Sequence, residues 1–169
     1  ENSLFDIVYC GCVFPHVGVK GDSREVLPNY YEQRLTIARE MARVLHPDGF
    51  IMVSSPNRLF PLDIFHGRTA EHPYPYLNPP TNPFLLSAGD YRSMFHQAGC
   101  NVFRLLPVVG YWGFINMTKT WKGRVLAFPV QAVSRLVSVK AFRALRGSPI
   151  SPWLVGLVRK RHVDYSPAW

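Results

Sequence analysis

The chain has few cysteines, and their number and positions exclude one class of small protein. Only Cys10, Cys12 and Cys100 occur among 169 residues, which is too few, and an odd number, for a disulfide framework. Such scarcity is typical of a reducing compartment. A closed zinc site needs four ligands, whereas Cys10, Cys12 and His16 supply three, so we expect no metal.

Long apolar segments are also lacking. No uncharged apolar run reaches the roughly 18 residues that a membrane-spanning helix needs, and no secretory signal peptide is recognisable at the start. We therefore expect a cytoplasmic protein, with peripheral membrane contact as the open alternative. With 169 residues and 47% hydrophobic content, the chain can form one domain with a sizeable core, but not two.

Acidic residues are nearly absent from the last third of the chain. Residues 104–169 contain eleven Lys or Arg and the single acidic residue Asp164, so the net charge of +8 originates there. Apolar residues repeat with a helical period after Pro129 and predict a basic amphipathic helix over residues 124–146. The apolar stripe consists of Leu126, Val130, Val133, Val137 and Ala141. The opposite side of the helix carries Arg124, Arg135 and Arg146.

This basic helix has two interpretations. Its stripe packs on the rest of the domain while its arginines are solvated, or it binds an anionic membrane surface or closes over an apolar substrate, helped by the aromatic residues of 111–114 and by Trp121. A specific nucleic-acid partner is not expected, because no zinc-finger, helix-turn-helix or RNA-reading pattern occurs.

Two apolar segments with a helix between them predict a parallel strand pair. The strands begin near residues 5 and 50 and end abruptly in small or polar residues, and residues 28–44 have helical spacing. A strand, a crossover helix and a strand form a parallel pair, and ligands bind beyond the carboxyl ends of such strands. We therefore expect residues 10–16 and 54–58 to lie on one rim.

These segments resemble the second half of a class I S-adenosylmethionine-dependent methyltransferase, similar to methyltransferase type 11. In that family a Phe-Asp-hydrophobic-Val strand is followed by His-Val or His-Ile, and a later helix ends in Arg-Val-Leu-x-Pro-x-Gly. The matches are Phe5-Asp6-Ile7-Val8, His16-Val17 and Arg43-Val44-Leu45-His46-Pro47-Asp48-Gly49. The resemblance covers residues 3–115 well and the remainder in outline.

The Gly-rich cofactor turn of that family has no counterpart here. No G-x-G-x-x-G occurs, and Cys10-Gly11-Cys12 contains one glycine. We therefore expect residues 1–169 to be a partial methyltransferase domain whose partner is the missing N-terminal half of the same protein. The expected fold is an α/β, Rossmann-like methyltransferase sheet, mostly parallel with an antiparallel last strand. Its exposed edge predicts a poorly soluble or oligomeric isolated chain.

The remaining elements follow from local signals and from the resemblance. Seven prolines make residues 56–86 a Pro-rich loop, which we expect on the substrate side. Ser87 and Asp90 predict a capped helix that ends at Gly99, followed by a strand over 101–107. The resemblance implies that residues 153–160 return as a strand antiparallel between their two predecessors, which makes residues 117–148 a basic helical insertion.

The resemblance also implies a cofactor, S-adenosylmethionine, and candidate site residues. By position, Cys10, Gly11 and Cys12 border the methionine portion of the cofactor. His16 is the catalytic candidate, because an imidazole ordinarily titrates near neutral pH and can accept a proton from the acceptor. The substrate-binding candidates are Asn57, Arg58, His66 and Tyr91, with Asp63, Arg68 and His72 as further loop residues that line the acceptor site.

Two functions of different class follow from these expectations. The first is methyl transfer to a small-molecule or lipid acceptor by in-line displacement, which requires positioning and exclusion of water but no acid–base triad. The second is a non-catalytic basic module that binds a membrane surface or a partner on a decayed methyltransferase scaffold. Binding of S-adenosylmethionine separates the two.

Overall fold

A computed structural model of the chain describes residues 4–21, 23–63, 76–108 and 121–160. His66, Arg68, His72 and the aromatic residues of 111–114 lie outside the described residues. The strands are β1 (Phe5–Gly11), β2 (Leu45–Pro56), β3 (Leu62–Asp63), β4 (Tyr76–Leu77), β5 (Val102–Leu105) and β6 (Trp153–Arg159). The α-helices are α1 (Tyr30–Val44), α2 (Ala88–Gln97) and α3 (Trp121–Ser138), and 3₁₀ helices span Phe14–His16 and Lys140–Leu145.

Four strands form one mixed sheet in the order β1-β2-β6-β5, which confirms the predicted α/β class. β1 and β2 are parallel, and β6 is antiparallel to both of its neighbours, as expected for the last strand. β1, β2 and β5 therefore run in the same direction. The expectation of a mostly parallel sheet holds for strand direction only, because inserting β6 leaves one parallel ladder and two antiparallel ones.

A glycine allows β1 and β2 to approach each other where β2 begins. A Cβ at Gly49 would lie 2.5 Å from the carbonyl oxygen of Asp6, so any other residue would push the strands apart. The register shifts here, since Phe5 pairs with Leu45 and Ile7 with Phe50. The final glycine of the Leu-x-Pro-x-Gly segment is thus explained by a close backbone contact.

Both α1 and α2 pack on one face of the sheet and form the core with it. Leu35 and Ala38 of α1, Phe95 of α2, and Ile51 and Val53 of β2 are buried in one cluster. The predicted capping box of α2 is confirmed, because Ser87 Oγ accepts from the Asp90 N–H and the Asp90 carboxylate accepts from the Ser87 N–H. Gly99, with φ +85°, follows the helix as predicted.

The opposite face of the sheet is open to solvent on its β1 side. Ile7 and Tyr9 point away from α1 and are more than half exposed, while Met52 and Leu157 beside them are half-buried. Within the described residues, β1 pairs with β2 along one edge and with no strand along the other. The sheet therefore has an unpaired edge next to an apolar surface.

The predicted basic helix needs a correction in its bounds, whereas Val130 and Val133 are half-buried, Val137 is buried and Arg135 is exposed, as predicted. The helix α3 spans Trp121–Ser138, includes Pro129, and gives way to the 3₁₀ helix, in which Ala141 is exposed and not part of an apolar stripe. Arg146 is not solvated, since its guanidinium donates to the carbonyl oxygens of Val137, Ser138 and Leu105. No helix among the described residues is long and apolar enough to cross a membrane.

Candidate functional site

The strands β1 and β2 end side by side, so the predicted rim exists. Gly11 pairs with Ser54, and the N–H of Cys12 donates to the carbonyl oxygen of Ser54 at 2.8 Å. Asn57 follows directly after β2. Residues 10–16 and 54–58 are therefore neighbours at the carboxyl end of the parallel pair, where open α/β sheets bind ligands.

The two cysteines at the tip of β1 differ in environment. Cys10 is buried, and this desolvation raises the pKa of its thiol, so the thiol stays protonated near neutral pH and is not a nucleophile. Cys12 has φ +57°, a left-handed conformation that is rare for a residue with a Cβ. This conformation turns the chain from the strand into the 3₁₀ helix that carries His16.

Tyr9 occupies the space beside Gly11, which the sequence analysis did not anticipate. A Cβ on Gly11 would collide with the Tyr9 hydroxyl, so the phenol lies directly over the glycine. The same hydroxyl shares a hydrogen bond of 3.4 Å with Ser54 Oγ. The Tyr9 side chain is largely exposed. Because its phenol occupies the space beside Gly11, a ligand that approaches the backbone there must displace it. The alternation of β1, which places residues 9 and 11 on one face, was the available signal.

His16 lies at the surface of the rim, at the end of the 3₁₀ helix. Phe14 and Pro15 are buried and anchor this helix, while the imidazole is exposed. Its ring meets the buried Phe84 ring edge-on, with 5.6 Å between centroids. The catalytic candidate is thus accessible, and it lies beside the segment that ends the Pro-rich loop.

Arg34 fixes the position of both segments, and the sequence analysis missed it. Its buried guanidinium donates to the carbonyl oxygens of Val17 at 3.1 Å and Pro15 at 3.2 Å, and also to those of Pro83 at 2.8 Å and Phe84 at 3.0 Å. The segment carrying His16 and the segment carrying Phe84 are therefore joined through one side chain of α1. A signal existed, because an arginine within the apolar spacing of α1 must have buried partners.

Asn57 is a structural residue, which corrects its prediction as a substrate-binding residue. Its buried amide donates to the carbonyl oxygens of Ser148 at 2.9 Å and Ser151 at 2.8 Å, and its side-chain oxygen accepts from the Leu59 N–H at 3.1 Å. These bonds tie the end of β2 to the segment before β6. The side chain thereby points away from the tip of β1 and not into a shared crevice.

Arg58 is half-buried and faces the N-terminal turns of α1 and α2. Its Nη2 lies 3.0 Å from the Asp90 carboxylate, and a small cavity beside it is lined by Tyr30, Arg34 and Met94. Among the described residues, no acceptor is within hydrogen-bond distance of the buried Arg58 Nε. This nitrogen is enclosed by the fold, whereas the rest of the guanidinium is partly exposed beside Asp90. The predicted role of Arg58 in substrate binding stays a prediction.

Tyr91 belongs to the core, which corrects its place among the substrate-binding candidates. The side chain is almost completely buried, and its hydroxyl donates to Ser55 Oγ at 3.0 Å. Burial raises the pKa of the Tyr91 hydroxyl above its ordinary value. The ring packs edge-on against Phe14, so Tyr91 supports the 3₁₀ helix of the rim from below.

The Pro-rich loop contains more regular structure than expected. The strands β3 and β4 pair within it, and the Asn78 amide donates to the carbonyl oxygens of Arg58 and Phe60. Asp63 is buried and lies 3.1 Å from Arg24, so its carboxylate is engaged in an ion pair. The loop prediction for His66 falls outside the described residues.

Neither a cluster of metal-ligating side chains among the described residues nor a match to a known protein points to further residues of this site. Within residues 4–21, 23–63, 76–108 and 121–160, no three His, Cys, Asp or Glu side chains cluster in a way that could hold a metal ion. No protein-family model matches the chain, and no curated protein matches it at a significant level.

Proposed function

We propose that the protein transfers a methyl group from S-adenosylmethionine to a small-molecule or lipid acceptor, and that this chain forms the acceptor-side wall of the site. The observation that carries the proposal is the strand order β1-β2-β6-β5, with β6 antiparallel between its neighbours. The resemblance of the motifs around Phe5, His16 and Gly49 implied this order. The observed order supports the resemblance on which the proposal rests.

The tip of β1 fits the methionine portion of the cofactor on one condition. Gly11 leaves space for a close backbone approach, and Tyr9, the side chain in that space, is exposed and held there by one long hydrogen bond. Rotation of the phenol would open the backbone of Gly11 and Cys12 to the ligand. The cofactor would supply an electrophilic methyl group at this place.

The residues of this chain would then orient the acceptor and receive its proton. His16 is exposed on the 3₁₀ helix that follows the tip, so we propose that it accepts the proton that a hydroxyl or amine acceptor loses. Arg34 joins the segment that carries His16 to the segment that contains Pro83. The partly exposed guanidinium of Arg58 would bind an acidic group on the acceptor. The chemistry thus relies on positioning.

The other wall of the site requires additional strands. β1 pairs on one side only within the described part of the chain, and Phe5, Ile7 and Tyr9 beside this edge are more than half exposed. A strand pairing with this edge would satisfy its backbone groups and cover these side chains. We propose that a strand outside residues 1–169 supplies it, together with the Gly-rich turn.

One observation favours the non-catalytic alternative. Two expected substrate-binding residues, Asn57 and Tyr91, are engaged inside the fold, and the phenol of Tyr9 fills the cofactor side of the tip. A scaffold that has lost catalysis but keeps its fold would have the same features. Cofactor binding and the effect of His16 distinguish the two.

The experiment is calorimetric titration of the full-length protein with S-adenosylmethionine, followed by methyl-transfer assays against small-molecule and lipid acceptors. We expect His16→Ala to lower kcat by about 10²–10⁴-fold with little change in cofactor affinity, as for loss of a general base. His96→Ala is the matched control, because His96 is an exposed histidine on α2. Absence of any binding heat from the full-length protein would favour the non-catalytic module.

A further inference from the structure

The outward surface of α3 carries large apolar side chains that are exposed. Trp121, Val125 and Phe128 are 68%, 63% and 76% exposed, and Leu136 two turns later is also exposed. These residues are spaced three, four or eight apart, so they form one stripe along the helix. The opposite side of α3, with Ala127 and Val137, is buried. The exposed stripe is therefore a second apolar face of this helix.

All charged residues in the part of the sequence that contains this stripe, residues 104–160, are basic. Arg135 on α3 and Lys140 and Arg143 on the following 3₁₀ helix are exposed, and residues 104–160 contain no Asp or Glu. A protein partner would usually be matched by charges of both signs. A surface that combines exposed Trp and Phe with cations alone is complementary to anionic lipid headgroups above an apolar layer.

The surface is held at the rim end of the sheet. The Arg146 guanidinium joins the last turn of α3 to Leu105, the final residue of β5, and Ser138 Oγ donates to the carbonyl oxygen of Val108. Because β5 runs in the direction of β1 and β2, this anchor lies at the end of the sheet where the candidate site opens. The stripe is thus presented by a fixed element.

We propose that α3 and the 3₁₀ helix Lys140–Leu145 form a docking surface for an anionic bilayer. We define this docking surface by Trp121, Val125, Phe128, Arg135, Leu136, Lys140 and Arg143. The helix lies in the plane of the interface, with its aromatic side chains in the headgroup region and its cations on the phosphates. The inference does not depend on methyl transfer, since it uses neither His16 nor the tip of β1.

The test is co-sedimentation of the full-length chain with phosphatidylcholine vesicles, with and without phosphatidylglycerol, at low and high salt. We expect binding only to the anionic vesicles, with weakening at high salt. Arg135→Gln lowers the partition coefficient about fivefold, the effect of one cation, whereas Arg39→Gln, an exposed arginine on α1, leaves it unchanged. Phe128→Ser lowers it about tenfold, and Leu77→Ser, at 72% exposure, is its control.

Each outcome decides the proposal. Loss of binding in Phe128→Ser and Arg135→Gln, with unchanged thermal unfolding curves and intact binding by both controls, supports it. Equal binding to neutral vesicles, or equal loss in the controls, overturns it. A concentration-dependent dimer in light scattering that Phe128→Ser converts to a monomer, without vesicle binding by the parent chain, would assign the stripe to a second copy and also overturn it.

Discussion

Replacement of Arg34 by methionine tests whether one side chain holds the rim together. Arg34→Met places an uncharged, apolar side chain of similar length on α1. It removes every hydrogen bond from the guanidinium to the carbonyl oxygens of Pro15, Val17, Pro83 and Phe84. Those carbonyl groups would lose the donor that joins them. The segment that carries His16 would then rely on the buried Phe14 and Pro15 and on backbone bonds such as that from Cys12 to Ser54.

The expected cost follows from two opposing effects. A hydrogen bond from a charged donor contributes about 1.5–3 kcal/mol net. Loss of four such bonds without compensation would therefore lower the free energy of unfolding by about 6–12 kcal/mol. Methionine relieves the desolvation of the guanidinium, the cost that lowers the pKa of Arg34, and water can reach the partly buried carbonyl groups. We therefore expect the free energy of unfolding to fall by about 3 kcal/mol.

The assay is urea unfolding followed by circular dichroism, with Arg39→Met as the matched control. Arg39 is an exposed arginine on the same helix, so its replacement should change stability by less than about 0.5 kcal/mol. Amide hydrogen exchange should accelerate at Val17 and Phe84, whose N–H groups are hydrogen-bonded in the fold, in Arg34→Met and not in the control. If both variants unfold at the same urea concentration, Arg34 does not hold the rim.

Three further changes test other contacts. Asn57→Ala should lower the free energy of unfolding by about 2 kcal/mol, because the Ser148 and Ser151 carbonyl groups lose their donor; unchanged stability by urea unfolding would return Asn57 to the substrate-binding candidates. Gly156→Ala should lower Tm, since its Cβ would lie 2.7 Å from the Phe103 ring. Burial raises the pKa of Tyr91 above 10.0, so the folded state keeps the proton; urea midpoints should fall as pH rises above about 10, and less steeply in Tyr91→Phe.

The sequence predicted the elements whose ends carry local signals. The bounds of α2 followed from Ser87, Asp90 and Gly99, because a capping box and a left-handed glycine satisfy the terminal backbone groups with neighbours in the chain. The parallel pair of β1 and β2 followed from apolar runs and the helix between them. The place of β6 came from the family resemblance, since strand order involves contacts between distant residues.

The prediction placed the end of α3 at residue 146 instead of Ser138, because Val139 has an extended backbone conformation that the apolar period does not reveal. Pro129 removes the N–H that would bond to the Val125 carbonyl, yet both residues lie on the exposed side of the helix, where water can satisfy that oxygen. The role of Arg146 was also missed. An arginine after a helix can cap the helix's final carbonyl groups, and Arg146 does so at Val137 and Ser138. Its third bond, to Leu105, depends on where β5 lies, which no local pattern predicts.

The roles of individual rim residues were the least predictable part. Asn57 and Arg58 are adjacent in sequence and were expected to face one crevice, but their side chains point to different partners, Ser151 and Asp90. Such directions depend on where the segments before β6 and after β4 cross the end of β2. No local pattern encodes these crossings. Position relative to a strand end therefore indicated the right region but not the right side chains.

The two proposals constrain each other through geometry. The docking surface on α3 is anchored to Leu105 at the end of the sheet where the tip of β1 and His16 lie. A chain bound to a bilayer by this surface would bring the rim close to the interface, which favours an acceptor embedded in the membrane over one dissolved in water. Methylation of a lipid acceptor should then slow in Arg135→Gln in proportion to lost vesicle binding, while calorimetric affinity for S-adenosylmethionine stays unchanged. An equal rate on vesicle-bound and dissolved acceptors would separate the docking surface from catalysis.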